Sequence, residues 1–151
     1  MTTTLHGVAL VTGGSRGIGA EIARTLAAQA VSADMPDGGR IINGGSSLGA
    51  QVPAPGFTPY AMSKAAVHGL TVGLARDLGA RGITVNQVAP GSVDTDMNPA
   101  EGPSADFQRG LNILGRYGRA AEVASAVLYL AADEAAFVTG TTLTVDGGAN
   151  A

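Results

Sequence analysis

The sequence predicts an α/β fold built on a parallel sheet, and three observations carry that expectation. Short apolar runs that stop near glycine or proline alternate with segments of helical period, the order produced by parallel strands joined by crossover helices. Glycine is abundant at 23 residues while aromatics make up only 4%, a mix suited to helices packed closely on a sheet. The chain has 151 residues, 45% of them hydrophobic, enough for one domain with a buried core.

The elements follow in order. Val8–Val11 is a continuous apolar run and reads as a buried strand. Ile18–Ala30 reads as a helix, with Ile18, Ile22, Ala23 and Leu26 on one face and Glu21 and Arg24 on the other. Ser32–Arg40, with Asp34, Pro36, Asp37, Gly38 and Gly39, is a loop. Ile41-Ile42-Asn43 is a second, short strand, and a long loop follows to Pro59. Tyr60–Leu78 is a helix, with Pro59 where a helix start tolerates proline. Gly69 and Gly73 weaken that helix but allow a neighbour to approach it. Ile83–Val88 is the third strand, closed by Pro90-Gly91. Ser92–Gly118 is mostly loop, with a short helix near Ala105–Leu111. Ala121–Ala132 is a helix and Thr141–Val145 the last strand, ended by Asp146-Gly147-Gly148.

Composition excludes several classes of function. A net charge of −3 gives no footing for a nucleic-acid or anionic-membrane partner. The absence of cysteine removes disulfides and thiolate metal sites and fits a reducing, cytoplasmic setting. No run reaches the roughly 18 apolar residues of a membrane span, and Met1–Gly7 lacks the basic and apolar regions of a secretory signal. His6 and His68 could serve a Ser-His-Asp hydrolase, but no Gly-x-Ser-x-Gly elbow accompanies them. Asp94, Asp96 and Asp106 are loop acids without the spacing of a calcium loop.

Two constellations carry chemistry. The stretch TGGSRGIG (12–19) follows a strand and opens a helix. Bare backbone at Gly13, Gly17 and Gly19 would let a diphosphate meet the N–H groups of the first helical turn; a tight turn needing positive φ would use the same glycines. No Gly-Lys-Ser/Thr follows, so it is not a P-loop. The second constellation is Ser46-Ser47 followed by Tyr60-Ala61-Met62-Ser63-Lys64. Tyr60 and Lys64 lie four apart, one turn along a helix face. An ammonium beside a phenol favours the phenolate, which suits proton transfer to or from an oxygen; a plain surface pair has the same spacing. Serines in a Gly-Ser-Ser loop can hold an oxygen or simply shape the loop.

Taken together, TGGSRGIG, GRIINGGSS, YAMSK, NQVAPGSVDTDM and TGTTLTVDGG resemble the short-chain dehydrogenase/reductase family, in that family's order and over nearly all of residues 7–149. The Tyr-x-x-x-Lys spacing resembles the branch with 3-oxoacyl-carrier-protein reductases and many sugar or polyol dehydrogenases. The resemblance implies a Rossmann-like, doubly wound parallel sheet of about four strands and a hydride transfer between a nicotinamide cofactor and a carbonyl or alcohol substrate. It implies that Gly13, Ser15, Arg16, Gly17, Ile18 and Gly19 form the diphosphate turn. Tyr60 would be the general acid/base, and Lys64 would ease its ionisation and hold the nicotinamide ribose. Ser47, thirteen residues before Tyr60, would polarise the carbonyl, with Ser46 the near alternative. Pro90, Gly91, Val93 and Thr95 would pack on the nicotinamide.

The resemblance also implies partners. Arg16, in the glycine-rich turn, points to NADP, with NAD possible. A homo-oligomer, dimer or tetramer, is implied, with the alanine-rich helix Tyr60–Leu78 as one interface. The Asp94–Gly118 loop would cover the substrate, and its Met97, Pro99, Phe107 and Leu111 make an apolar lid.

The chain departs from the family between its first helix and the serine strand. Gln29-Ala30-Val31 runs almost directly into Met35-Pro36-Asp37. Three strand–helix steps are expected there at roughly 30 residues per βαβ unit, so on the order of 90 residues are missing from a segment near 30–36. The first strand must then pair directly with the serine strand or stand exposed. A catalytically silent remnant, acting at most as a binding or subunit-interaction protein, is the alternative reading.

Overall fold

The computed structural model describes residues 9–12, as backbone, and 35–151. The helix expected at Ile18–Ala30 and the glycine-rich turn lie outside the described residues, as do the first three residues, 32–34, of the expected loop Ser32–Arg40.

Four parallel strands form the main sheet: β1 (Ala9–Thr12), β2 (Arg40–Gly44), β3 (Thr84–Pro90) and β6 (Thr142–Val145), side by side in that order. Strand β1 pairs directly with β2, Leu10 opposite Ile41 and Thr12 opposite Asn43. The serine strand therefore takes β1 as its neighbour. Strand β2 pairs with β3 from Arg40↔Thr84 to Gly44↔Val88, and β3 pairs with β6 from Gln87↔Thr142 to Pro90↔Val145.

Helices cover both faces. Helix α1 (Thr58–Leu78) packs Leu74 and Ala75 on Ile41 and Val85, with Met35 and Ile83 completing the cluster. Helix α3 (Ala120–Ala131) packs Leu130 and its neighbours on Ile42 and Val88. Ile41 and Ile42 thus point to opposite faces and are both buried, which is why two apolar residues stand side by side in that strand instead of alternating with polar ones. Two polar ties fix the layers. Asn43, fully buried, donates to Thr71 Oγ1 at 2.9 Å, and that hydroxyl donates back to the Val67 carbonyl at 2.8 Å. Asn86 donates to the Val138 carbonyl at 2.8 Å and accepts from Thr141 N at 3.2 Å, which sets where β6 enters the sheet.

Boundaries shift from the sequence expectation for local reasons. Helix α1 starts at Thr58, two residues early, because Pro59 lies in its first turn, where a missing N–H costs nothing. It ends in a short 3-10 turn (Gly79–Arg81) closed by Gly82 in the left-handed conformation, φ 66°. The expected loop 92–118 contains a small two-stranded pairing, β4 (Val93–Asp94) with β5 (Gly118–Arg119), and the short helix α2 (Ala105–Gly110). Because the four main strands are parallel, their carboxyl ends share one edge, where ligands of open α/β sheets bind. Ser46 and Ser47 follow β2 at that edge, Gly91 follows β3 and Asp146 follows β6.

Candidate functional site

Ser47 opens a 3-10 turn, Ser47–Gly49, directly after β2, and Ser46 is its N-cap. The two serines are therefore not equivalent. The Ser46 hydroxyl accepts from Leu48 N at 3.2 Å and is committed to the turn. Ser47 is 4% exposed, and its hydroxyl has no hydrogen-bond partner among the described residues. Its backbone holds the turn instead: its carbonyl accepts from Ala50 N at 3.1 Å and from the Asn150 side chain at 2.8 Å. Asn150 is a contributor that sequence reasoning missed. Its signal was the Asp146-Gly147-Gly148 turn, in which Asp146 accepts from Gly148 N and Asn150 N and so brings Asn150 back to Ser47.

Tyr60 and Lys64 stand one turn apart on α1, and the structure brings them together. The Lys64 ammonium sits 5.6 Å from the centre of the Tyr60 ring, within cation–π range. Lys64 is buried, and no carboxylate pairs with it among the described residues. Tyr60 is 45% exposed, with a hydroxyl free of hydrogen bonds. Helix α1 can lie this close to the serine turn because position 49 is glycine: a Cβ there would come within 3.0 Å of the Lys64 backbone.

Ser46, Ser47, Tyr60 and Gly91 line a single cleft of about 530 Å³. Gly91 has a steric reason to be glycine, since a Cβ would stand 2.7 Å from Asp146 Cα. Its N–H donates to the Val145 carbonyl at 3.1 Å, so β3 and β6 end in contact. Lys64 does not line this cleft; it borders an adjoining cavity of about 310 Å³ that shares Ser46 and Ser47. Pro90 closes β3. Val93 borders a third cavity, beside Arg116 and Glu122. Thr95 lies in an exposed turn whose backbone pairs with Asn98. Gly13, Ser15, Arg16, Gly17, Ile18 and Gly19 lie outside the described residues. Met97, Phe107 and Leu111 of the expected lid do line the main cleft, whereas Pro99 does not.

One charged cluster flanks the site. Arg116 grips Glu122 through both guanidinium nitrogens, at 3.0 and 2.8 Å, and Arg119 N donates to the same carboxylate at 2.8 Å. The Arg116 hydrogen bond, followed by the Arg119 amide, holds the Glu122 carboxyl down to about 2. The loop acids are engaged locally: Asp94 accepts from Ala100 N and Asp106 pairs with Arg109 at 2.7 Å.

The family described as Enoyl-(Acyl carrier protein) reductase matches residues 23–150. The chain is 51% identical over 113 residues to the Cyclic-di-GMP-binding biofilm dispersal mediator protein of Escherichia coli K12, covering 75% of this chain and 48% of that protein. It is 53% identical over 112 residues to the 3-oxoacyl-(acyl-carrier-protein) reductase FabG of Pseudomonas aeruginosa, covering 73% and 44% respectively. A short chain dehydrogenase from Burkholderia cenocepacia, solved in complex with NADP, superposes with a TM-score of 0.86 at 43% identity, over 95% of this chain and 64% of that one. A short-chain dehydrogenase/reductase from Serratia marcescens gives 0.86 at 43% identity, over 95% and 65%. The chain spans about half the length of the curated relatives it matches.

Proposed function

The chain belongs to the short-chain dehydrogenase/reductase family, and on that premise we propose that it interconverts a carbonyl and an alcohol by NAD(P)-dependent hydride transfer. The observation that carries the reading is that a free, buried Ser47 hydroxyl and a Tyr60 phenol backed by the Lys64 ammonium line one cleft.

The cofactor proposed is NADP, with NAD the second choice. The described residues fit a nicotinamide ribose at one point above all: the buried Lys64 ammonium has donors to give and no carboxylate beside it. When bound, the dinucleotide supplies or takes the hydride. The chain's own groups do the rest. Ser47 donates to the substrate oxygen and fixes it. Tyr60 gives that oxygen a proton in reduction and takes one in oxidation. Lys64 stabilises the negative charge this leaves on the phenol. Pro90, Gly91, Val93 and Thr95 follow the β3 end toward the cleft and are proposed to flank the nicotinamide, the support being strongest for Gly91. The turn Gly13–Gly19, with Ser15, Arg16, Gly17 and Ile18, is proposed to hold the diphosphate. Strand β1 ends at Thr12, in register with Asn43, so it runs to the same sheet edge as Ser47.

We also propose that the chain lacks an internal segment near 30–36; the direct β1–β2 pairing supports this. A homo-oligomer joined through α1 is proposed from the exposed Met62 and Val72 on that helix. The setting proposed is cytoplasmic; no helix among the described residues is long and apolar enough to cross a membrane.

The test is a thermal melt with and without NADPH and NADH, followed by ketone-dependent loss of NADPH absorbance. A dinucleotide that binds the folded chain raises its melting temperature, and turnover follows. A folded chain with neither response is the silent remnant.

A further inference from the structure

The main cleft has two unlike halves. One carries Ser47 and Tyr60. The other is its cover, in which Met97, Phe107 and Leu111 face the same space together with two amides, Asn98 and Gln108. Those amides are the informative residues. Amides in a substrate pocket ordinarily bind hydroxyls, and a sugar site depends on such donors and acceptors. Here they are spent on each other. Asn98 Nδ2 donates to Gln108 Oε1 at 2.9 Å, and Gln108 Nε2 donates to Asn98 Oδ1 at 2.7 Å. Gln108 Nε2 also donates to Ser104 Oγ at 3.3 Å. The pair is reciprocal and its four polar atoms are all engaged. It joins the turn at 95–98 to α2 as a latch and spends a donor and an acceptor of each amide on the other.

Charge is equally absent. No Asp, Glu, Lys, Arg or His lines the cleft among the described residues. Arg109, on α2 of the cover, is held by Asp106 and by the Ala100 carbonyl. With Ser46 bound into its turn, the hydroxyls left without a partner in the cleft are those of Ser47, Tyr60 and Ser92. Two of the three are assigned to the carbonyl oxygen.

Resting on the reading of this cleft as the carbonyl site, we infer that its substrate is an uncharged ketone or secondary alcohol with an apolar substituent, and that the Asn98–Gln108 latch excludes sugars and polyols. A polyol would have to give up several water hydrogen bonds in a cleft without a charged side chain, whose two amides are already bonded to each other, a loss that is costly to leave unrecovered. An alkyl or aryl group would instead lie against Met97, Phe107 and Leu111.

Saturation-transfer NMR with 2-octanone and with xylitol tests this on the intact chain, without cofactor or turnover. Signal from 2-octanone and none from xylitol is expected. Phe107→Ala, on the exposed cover, should weaken 2-octanone roughly tenfold while circular dichroism stays native. Met97→Ala is the second apolar variant should Phe107→Ala disturb the fold, and it should weaken 2-octanone in the same direction. Gln108→Ala should open the latch and bring a xylitol signal that the parent lacks. Xylitol binding as well as 2-octanone to the parent, or a folded Phe107→Ala or Met97→Ala variant that binds 2-octanone unchanged, would overturn the inference. Ketone binding without NADPH consumption would count against the proposed reaction and leave this inference standing. NADPH consumption with sugars but not with ketones would do the reverse.

Discussion

Replacing Tyr60 by phenylalanine separates chemistry from folding better than any other change in the chain. The substitution removes one oxygen from a residue that is 45% exposed, and that oxygen has no hydrogen bond among the described residues. The ring stays, and with it the contact to the Lys64 ammonium at 5.6 Å. Nothing in the fold is therefore lost except a solvated hydroxyl. The expected change in stability is within about 0.5 kcal/mol, or under about 2 °C in melting temperature for a chain of this size. A general acid is worth about 10² to 10⁴ in rate, equivalent to about 3 to 5 kcal/mol of barrier. The effect on turnover should exceed the effect on folding several-fold. Ketone-dependent NADPH oxidation gives the first quantity, and melts with and without NADPH give the second together with cofactor binding. Turnover within about threefold of the parent would remove Tyr60 from the chemistry. A melt lowered by many degrees would make Tyr60 a structural residue and remove the premise.

Three other outcomes are expected. The Glu122 carboxyl, held near 2 by Arg116 against an ordinary 4.5, contributes stability that is complete above about 4.5 and lost as pH falls through about 2; Glu122→Gln should flatten that acid limb in melts between pH 6 and 2, and parallel limbs would refute the ion pair's role. Gly91→Ala forces a Cβ to 2.7 Å from Asp146 Cα, backbone that cannot swing aside, so urea unfolding should show a loss of about 1–3 kcal/mol, and an unchanged midpoint would deny the contact. Gly69→Ala, mid-helix on α1 with nothing within 4 Å of the new carbon, should stabilise by roughly 0.5–1 kcal/mol; a loss that grows with protein concentration would place a second subunit on that face.

The sheet was readable in the sequence where burial on both faces wrote an unbroken apolar run. Ile41-Ile42 is such a run; Ile83–Val88 mixes apolar residues with Thr84, Asn86 and Gln87, all buried, and is marked by its Pro90-Gly91 end, and both strands lie within a residue or two of the expected ends. Strands β4 and β5 were not readable, because two residues carry no period and their pairing spans the 25 positions from Val93 to Gly118. The site divides in the same way. Tyr60 and Lys64 announce themselves by helical spacing, which survives any tertiary detail. The resemblance ranks Ser47 above Ser46, but the residues by themselves do not. The choice between them depends on which one caps a three-residue turn, a matter of backbone angles that adjacent serines do not encode. The Asn98–Gln108 latch joins residues ten apart across an irregular turn, where no periodicity operates.

The placement of these residues explains how the proposed carbonyl site can be built on so short a sheet. Ser47 leaves the end of β2, Gly91 leaves the end of β3, and α1, which carries Tyr60 and Lys64, is the crossover joining those two strands. The group is thus one βαβ unit, held by contacts within that unit: Ile41 and Val85 under Leu74 on one face, and Asn43 tied to Thr71. Strand β6 adds Asn150, which fixes the Ser47 carbonyl, and the turn that Gly91 abuts. Among the described residues, strand β1 pairs with β2 and supplies none of these groups. On the proposed reading, a chain shortened on the β1 side keeps Ser47, Tyr60 and Lys64 in place. If the segment near 30–36 is missing as proposed, any loss of function should appear as weakened cofactor affinity rather than as a misplaced tyrosine.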